Sequence, residues 1–273
     1  MKIKLVLPYA LLVLLGFSAS QQAHEKTANQ LESSIEVNVK KLHQDIKTLA
    51  SDEFAGRGPL TLGEKLTIDY LAKQYQSIGL TPGNQNSFYQ AVPMAKVTPD
   101  QNMQLVIGEH SFAAGQDFTA RTQQVNGDIS LANAELVFVG YGINAPEYQW
   151  NDYANVDVKG KAVVVLVNDP GFASQNDALF TGNAMTYYGR WTYKYEEAAR
   201  QGAKAVFIIH QTAPAAYPWS VVESSNTGSK YTLVDSENNV SKLPIMGWIQ
   251  HTVAKTIFTA AGLSLDEMQR YAL

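Results

Sequence analysis

Two continuous apolar runs constrain this chain more than anything else in it. Ala162-Val-Val-Val-Leu-Val167 and Ala205-Val-Phe-Ile-Ile209 contain no polar residue. A strand wetted on one side alternates apolar and polar residues, so unbroken runs of this length suit strands covered on both faces, as in parallel sheets. Between them, Tyr195 to Gln201 has helical character and Gly202 supplies a stop. Strand, helix, glycine and strand predict a crossover unit, right-handed by the general rule for parallel strands. Leu136 to Tyr141 predicts another strand ahead of it.

The totals narrow the class further. A chain of 273 residues makes one large domain or two modest ones, and an apolar fraction of 45% is ample for a core. The net charge is −4 with acids and bases interspersed, which gives no footprint for nucleic acid. There is no cysteine, so disulfides and thiolate metal sites are excluded. Residues 1–20 read as a signal peptide. Lys2 and Lys4 form the basic region, Leu5 to Phe17 the apolar region, and Ser18-Ala-Ser20 the small residues before a cleavage point near Ser20. The mature protein is therefore expected to be periplasmic or secreted, with no membrane attachment after cleavage.

Upstream of the crossover, Ile35, Val39, Leu42, Ile46 and Leu49 recur at helical steps. A glycine-punctuated loop follows, Leu49-Ala-Ser-Asp-Glu-Phe-Ala-Gly-Arg-Gly-Pro59. Thr61 and Glu64 then fit a capping box, and Gly79 is placed to end the second helix. Tyr89 to Met94, Gln104 to Ile107 and Ser111-Phe112 read as short strands, and Arg121 to Ser130 as a polar domain boundary. Downstream, Leu243 to Met246 reads as a short last strand. His251 to Ala261 reads as a helix stopped by Gly262, and Ser264 with Glu267 as a second capping box opening a helix cut near its start.

Catalytic signatures are absent from the pattern. His24, His43, His110, His210 and His251 are scattered, with no H-E-x-x-H and no His-x-Asp. His210 ends a strand, a place usual for a hydrogen-bonded structural histidine. No G-x-S-x-G elbow occurs. Gly140-Tyr-Gly142 lacks the third glycine of a dinucleotide site and reads as a turn. Glu196 and Glu197 are adjacent and diverge on a helix, which suits charge in a first turn. Asp169-Pro-Gly171 reads as a turn, and Asn239-Val-Ser241 matches a glycosylation acceptor. The densest remaining set is aromatic: Tyr187, Tyr188, Trp191, Tyr193 and Tyr195, with Tyr217 and Trp219. These residues form either a substrate rim or a lid-like core over the sheet. Tyr187, Tyr188, Trp191, Tyr195 and Trp219 are the candidate rim.

Several long segments resemble exported zinc-dependent aminopeptidases of the aminopeptidase Y and bacterial leucine aminopeptidase family. Leu49 to Gly58, with Gly63-Glu64, Tyr70-Leu71 and Gly79-Leu80, is similar to the opening of the family. Phe138 to Gly142, Ala145 to Tyr148, Asn168 to Gly171 and Met185 to Trp191 are similar to its inserted protease-associated domain. The resemblance covers Val37 to about Leu265. It implies an α/β fold, namely the incomplete N-terminal part of a mixed-sheet peptidase domain plus an inserted β-rich α/β protease-associated domain. It also implies release of N-terminal residues from peptides by two zinc ions, held by two His and three carboxylates, with a further Glu activating the bridging water.

In the family, those ligands begin with a His-x-Asp segment downstream of the insertion. None of the ligand positions has a counterpart here, so no catalytic or metal residue is assigned and no cofactor is expected in this chain itself. The pair Glu196-Glu197 is not the Glu-Glu of the family. The resulting domain map is a signal peptide over 1–20, helices and strands of the peptidase domain over 21–130, the protease-associated domain over 131–250, and a return toward the catalytic domain over 251–273. The chain is expected to be an N-terminal fragment, inactive alone, whose partners are peptide substrate and a C-terminal catalytic part. The competing reading is a secreted protease-associated-domain module that binds peptides or proteins.

Overall fold

A computed structural model describes residues 37–273. The signal peptide, His24 and the first position of the Ile35 stripe lie outside the described residues. The chain divides into two units, with the boundary after Ala91.

In the first unit, helix α1 (Val39–Leu49) is capped by Asn38, whose side chain accepts from the Lys41 amide. Helix α2 (Leu62–Ser77) is capped by Thr61, which accepts from the Glu64 amide at 3.4 Å. The return bond of the capping box is displaced by one position, because the Glu64 carboxylate accepts from the Leu60 amide. Between the helices a 3-10 turn (Asp52–Arg57) buries Phe54. A Cβ at Gly63 would meet the Phe54 carbonyl oxygen at 2.3 Å, so α2 can begin against this turn only with glycine there. Phe54 meets Tyr70 edge to face, and the Tyr70 hydroxyl donates to Asp45 on α1. The predicted stripe of α1 is helical but exposed along Val39, Leu42 and Ile46. Gly79 has φ 81°, as the helix stop requires.

The second unit is an α/β layer structure around a five-stranded mixed sheet. It begins with β1 (Met94–Val97), the hairpin β2 (Gln104–Ile107) and β3 (His110–Ala113), and β4 (Phe118–Arg121). Next come β5 (Leu136–Phe138), the short pair β6 (Asn144–Ala145) and β7 (Trp150–Asn151), β8 (Ala162–Leu166), and helices α3 (Pro170–Ser174) and α4 (Trp191–Arg200). The unit closes with β9 (Ala205–His210), α5 (Thr212–Ala215), α6 (Trp219–Asn226), β10 (Lys230–Leu233), β11 (Ile245–Gln250), α7 (His251–Ala260) and α8 (Leu265–Tyr271).

The sheet order is β4-β11-β9-β8-β5. Neighbours among β5, β8, β9 and β11 are parallel, and β4 is an antiparallel edge strand. The two apolar runs are β8 and β9, adjacent and buried along their whole lengths. Alternate residues feed two cores. Val163, Val165, Val206 and Ile208 pack with Tyr195 and Ala198 of α4. Val164, Leu166, Phe207 and Ile209 pack with Val253, Ile257 and Phe258 of α7. Each such aliphatic side chain contributes about 1.5–3 kcal/mol by leaving water.

Several expectations need amendment. The last strand is longer and more central than Leu243 to Met246 suggested, since β11 runs to Gln250 between β9 and β4. Gly247 ends the apolar pattern there. A Cβ at that position would meet the Thr119 carbonyl at 2.6 Å and the Phe207 ring at 2.7 Å, so close packing selects the glycine. Tyr89 to Pro93 is not a strand; pairing starts at Met94, which opposes Leu233 of β10. The sheet draws strands from both sides of the polar stretch Arg121 to Ser130. Asp169-Pro-Gly171 opens α3 rather than making a bare turn, because Asp169 caps the helix and Pro170 occupies its first position. Gly140 and Gly142 do form a turn, with φ 46° and 63° and the Gly142 amide bonded to the Val139 carbonyl at 2.7 Å.

Candidate functional site

Phe138 to Gly142, Asn168 to Gly171 and Met185 to Trp191, three of the segments that resemble the inserted domain, come together at the carboxyl ends of β5 and β8. Lys194 of α4 is fully buried beneath them, and its amine donates to the Asn168 carbonyl at 2.8 Å. Among the described residues no carboxylate lies within ion-pair distance of it. Burial therefore pulls its pKa down to about 7, against the more distant fields of Asp152 and Asp169. Asp152 is pushed up to about 6, burial outweighing the bonds it accepts from the Ile143 amide and the Trp150 indole. Asp169, fully buried, accepts from the Gly171 amide and from both the amide and the hydroxyl of Thr186.

These bonds knit two motif segments together. Asp169 holds Thr186 at the start of the aromatic segment, and Lys194 holds Asn168. A Cβ at Gly189 would meet Met185 Cγ at 2.7 Å, Asn168 Oδ1 at 2.9 Å and Asp169 Oδ2 at 3.0 Å. A Cβ at Gly171 would meet the Leu179 carbonyl at 2.3 Å. The motif density thus reflects a packing knot whose polar atoms serve one another. A cavity of about 310 Å³ opens beside it, lined by Tyr141, Asn168, Asp169, Gln211, Asp266 and Arg270. It sits where α/β sheets bind ligands. The oxygens of Asp169, however, are already committed to Gly171 and Thr186.

The predicted rim residues separate into two groups. Tyr188 sits in an aromatic cluster with Tyr148, Phe180 and Tyr193, at ring distances of 6.2, 5.9 and 4.9 Å. Its hydroxyl donates to Glu147 at 2.5 Å, and that bond raises its pKa to about 12. Tyr187 is exposed and donates to Glu196 at 2.8 Å. The second group lies across β4 and β11. Trp191 packs on Tyr195 at 6.0 Å, and the Arg121 guanidinium lies 5.7 Å from the Trp191 ring centre. Tyr195 is buried, its hydroxyl donating to the Gly247 carbonyl, and belongs to the core rather than to a rim. Trp219 donates to the Gly115 carbonyl at 2.9 Å and faces His210 at 5.6 Å.

Two grooves, of about 420 and 380 Å³, share Arg121 and Trp191. Arg121 fell in the polar stretch read as a boundary, so the sequence offered only one sign of it, a lone cation closing an apolar strand. Lys194 had a sign of its own. It precedes the apolar Ala198 by one helical turn and so shares its helix face.

The other polar candidates are structural. His210 Nε2 donates to the Tyr217 carbonyl at 2.9 Å, and burial lowers its pKa. Glu196 and Glu197 lie in the middle of α4 rather than in its first turn. Glu196 points outward and Glu197 is buried, accepting from Arg200 at 2.7 Å. Asn239 is buried and donates to the carbonyls of Gln123 and Leu233, so its amide is occupied within the fold. Among the described residues, no three His or carboxylate side chains are grouped as a metal site would need, and no helix is long and apolar enough to cross a membrane.

Neither protein-family models nor curated proteins give a match to the chain. Among solved structures it is similar to an aminopeptidase from Aneurinibacillus sp. strain AM-1, with a TM-score of 0.35 and 21% identity over 75% of this chain and 37% of that one. The chain thus spans well under half the length of that relative.

Proposed function

We propose that this chain is the accessory, N-terminal part of an exported dizinc aminopeptidase, and that it works beside a catalytic part that supplies the metal ligands. The observation that supports this reading is the knot around Lys194. The residues that resemble the protease-associated insertion are those that lock Asn168 to Gly171 against Met185 to Trp191, as expected of a unit kept for its shape. In the assembled enzyme, two zinc ions would activate water for attack on the first peptide bond. The part described here would present or gate the peptide.

The purified chain should hold no stoichiometric zinc and should not turn over a chromogenic aminoacyl-anilide. Robust turnover with bound zinc would sink the reading of an inactive part. Added to the isolated catalytic domain of a dizinc aminopeptidase of this family, the chain should associate and change turnover of peptides more than turnover of anilides. Absence of both effects would count against the partnership. Export is tested by N-terminal sequencing of the periplasmic or secreted product, which should start near Gln21.

A further inference from the structure

We propose that the two grooves meeting at Arg121 and Trp191 bind an extended peptide segment, with an internal acidic side chain seated on Arg121. The proposal stands on the grooves themselves and not on the aminopeptidase reading.

Arg121 ends β4 and is half-buried. Its guanidinium lies over Trp191, and among the described residues it has no carboxylate partner and no side-chain hydrogen bond to an acceptor. A planar, permanently charged fork held at an aromatic face and left with free donors is suited to a carboxylate. The walls add flat apolar surface. Trp191 is 40% exposed, and Tyr217, Tyr231 and Trp248 line the smaller groove. Each groove carries a second exposed cation, Lys242 in the larger and Lys230 in the smaller, and neither has an ion-pair partner among the described residues. Arg200, also in the larger groove, is already paired with Glu197. The carboxylate of that lining, Glu196, is engaged by the Tyr187 hydroxyl.

The occupant follows from this layout. Arg121 and Trp191 line both grooves, so the guanidinium has open space on two sides. A residue inside a peptide, with chain extending to either side, suits that position better than a chain end. The two volumes fall within the range of ordinary ligand sites. The net charge of −4 disfavours a polyanion such as nucleic acid, which needs a broad basic face.

The test uses the whole chain and three fluorescein-labelled heptapeptides in anisotropy titrations. The first carries Phe-Asp-Leu at its centre and an amidated end. The second replaces Asp by Asn. The third has the Asn centre and a free terminal carboxylate. The first should bind saturably and the other two about tenfold or more weakly, as for loss of a charge-assisted bond. Arg121→Gln should remove that preference, and Lys230→Gln and Lys242→Gln, both at exposed positions, should each weaken binding of the first peptide. Lys204→Gln, at an exposed position outside the grooves, should leave it unchanged. Unaltered thermal melts of the Lys variants separate lost binding from lost folding. Equal binding of the Asp and Asn peptides, no saturable binding of the first, preference for the third, or full affinity in Arg121→Gln would each overturn the proposal.

Discussion

The Lys194 amine donates to the Asn168 carbonyl at 2.8 Å from a fully buried position, tying the first half of α4 to the carboxyl end of β8. A lysine in that place must choose between holding its proton in an apolar interior and giving it up. The neighbouring Asp152 faces the opposite choice.

The stability of the α/β unit should therefore respond to pH in two limbs. An unfolded lysine holds its proton to about 10.5, while Lys194 in the fold releases it near 7. Over that window the unfolded state binds the extra proton, so stability climbs as pH rises. Asp152 holds its proton to about 6 in the fold and to 3.8 when unfolded, so stability falls as pH rises across that lower window. Together the two groups place their weakest contribution between about pH 6 and 7. In urea melts, Lys194→Met should lose the upper limb, with the deficit against the parent chain growing to about 1–3 kcal/mol by pH 10. A deficit independent of pH would show that Lys194 stays charged throughout.

Gly189→Ala should destabilise the unit by about 1–3 kcal/mol, since the new methyl group meets Met185, Asn168 and Asp169 within 3.0 Å. Gly83→Ala, with nothing within 4 Å of the added carbon, should stay within about 0.5 kcal/mol of the parent. Chemical denaturation of the pair separates a packing requirement from a general cost of replacing glycine.

Asn239→Ala should cost on the order of 1–3 kcal/mol, because it strands the Gln123 and Leu233 carbonyls and the Asp235 amide. Thermal melts of the purified variant check this. An unchanged midpoint would mean that water replaces the side chain at no loss.

His210 should remain neutral below the usual histidine range. Its Nε2 proton is committed to the Tyr217 carbonyl, and burial disfavours the charged ring. Unfolded histidine gains a proton near 6.5, so this group erodes stability as pH falls through that value and below. Imidazole resonances followed by NMR should show His210 titrating below 6.5, the value of an unfolded histidine. A midpoint at or above that value would contradict the burial.

The parts of this fold legible in the sequence are those set by local chemistry. β8, β9 and the stop at Gly202 follow from uninterrupted apolar runs and a residue that tolerates φ 81°. The start of α2 follows from Thr61. What escaped depends on distant partners. The apolar pattern of β11 is interrupted by Gly247, which is needed because Thr119 of β4 and Phe207 of β9 lie against it. Glu197 looks like solvent-facing charge until Arg200 and Gln201 close over it. The candidate site shows the same division. Tyr188 and Trp191 were visible as aromatic residues, but they do not share one rim, because Tyr188 packs with Tyr193 while Trp191 packs with Tyr195 and Arg121. Arg121 gained meaning only when β4 joined the edge of the sheet.

That edge also sets a timetable for synthesis. Gln116, just before β4, is hydrogen-bonded to Gln250 at the end of β11, 134 positions later. On the ribosome, β4 emerges with its partner still unmade, and the flank of β9 stays open as well, because β11 fills the gap between them. Until the last strand arrives, the nascent protein carries two bare strand margins, which are surfaces that invite association with other chains. This architecture leaves those margins open for longer during synthesis than a sheet closed by neighbouring hairpins would.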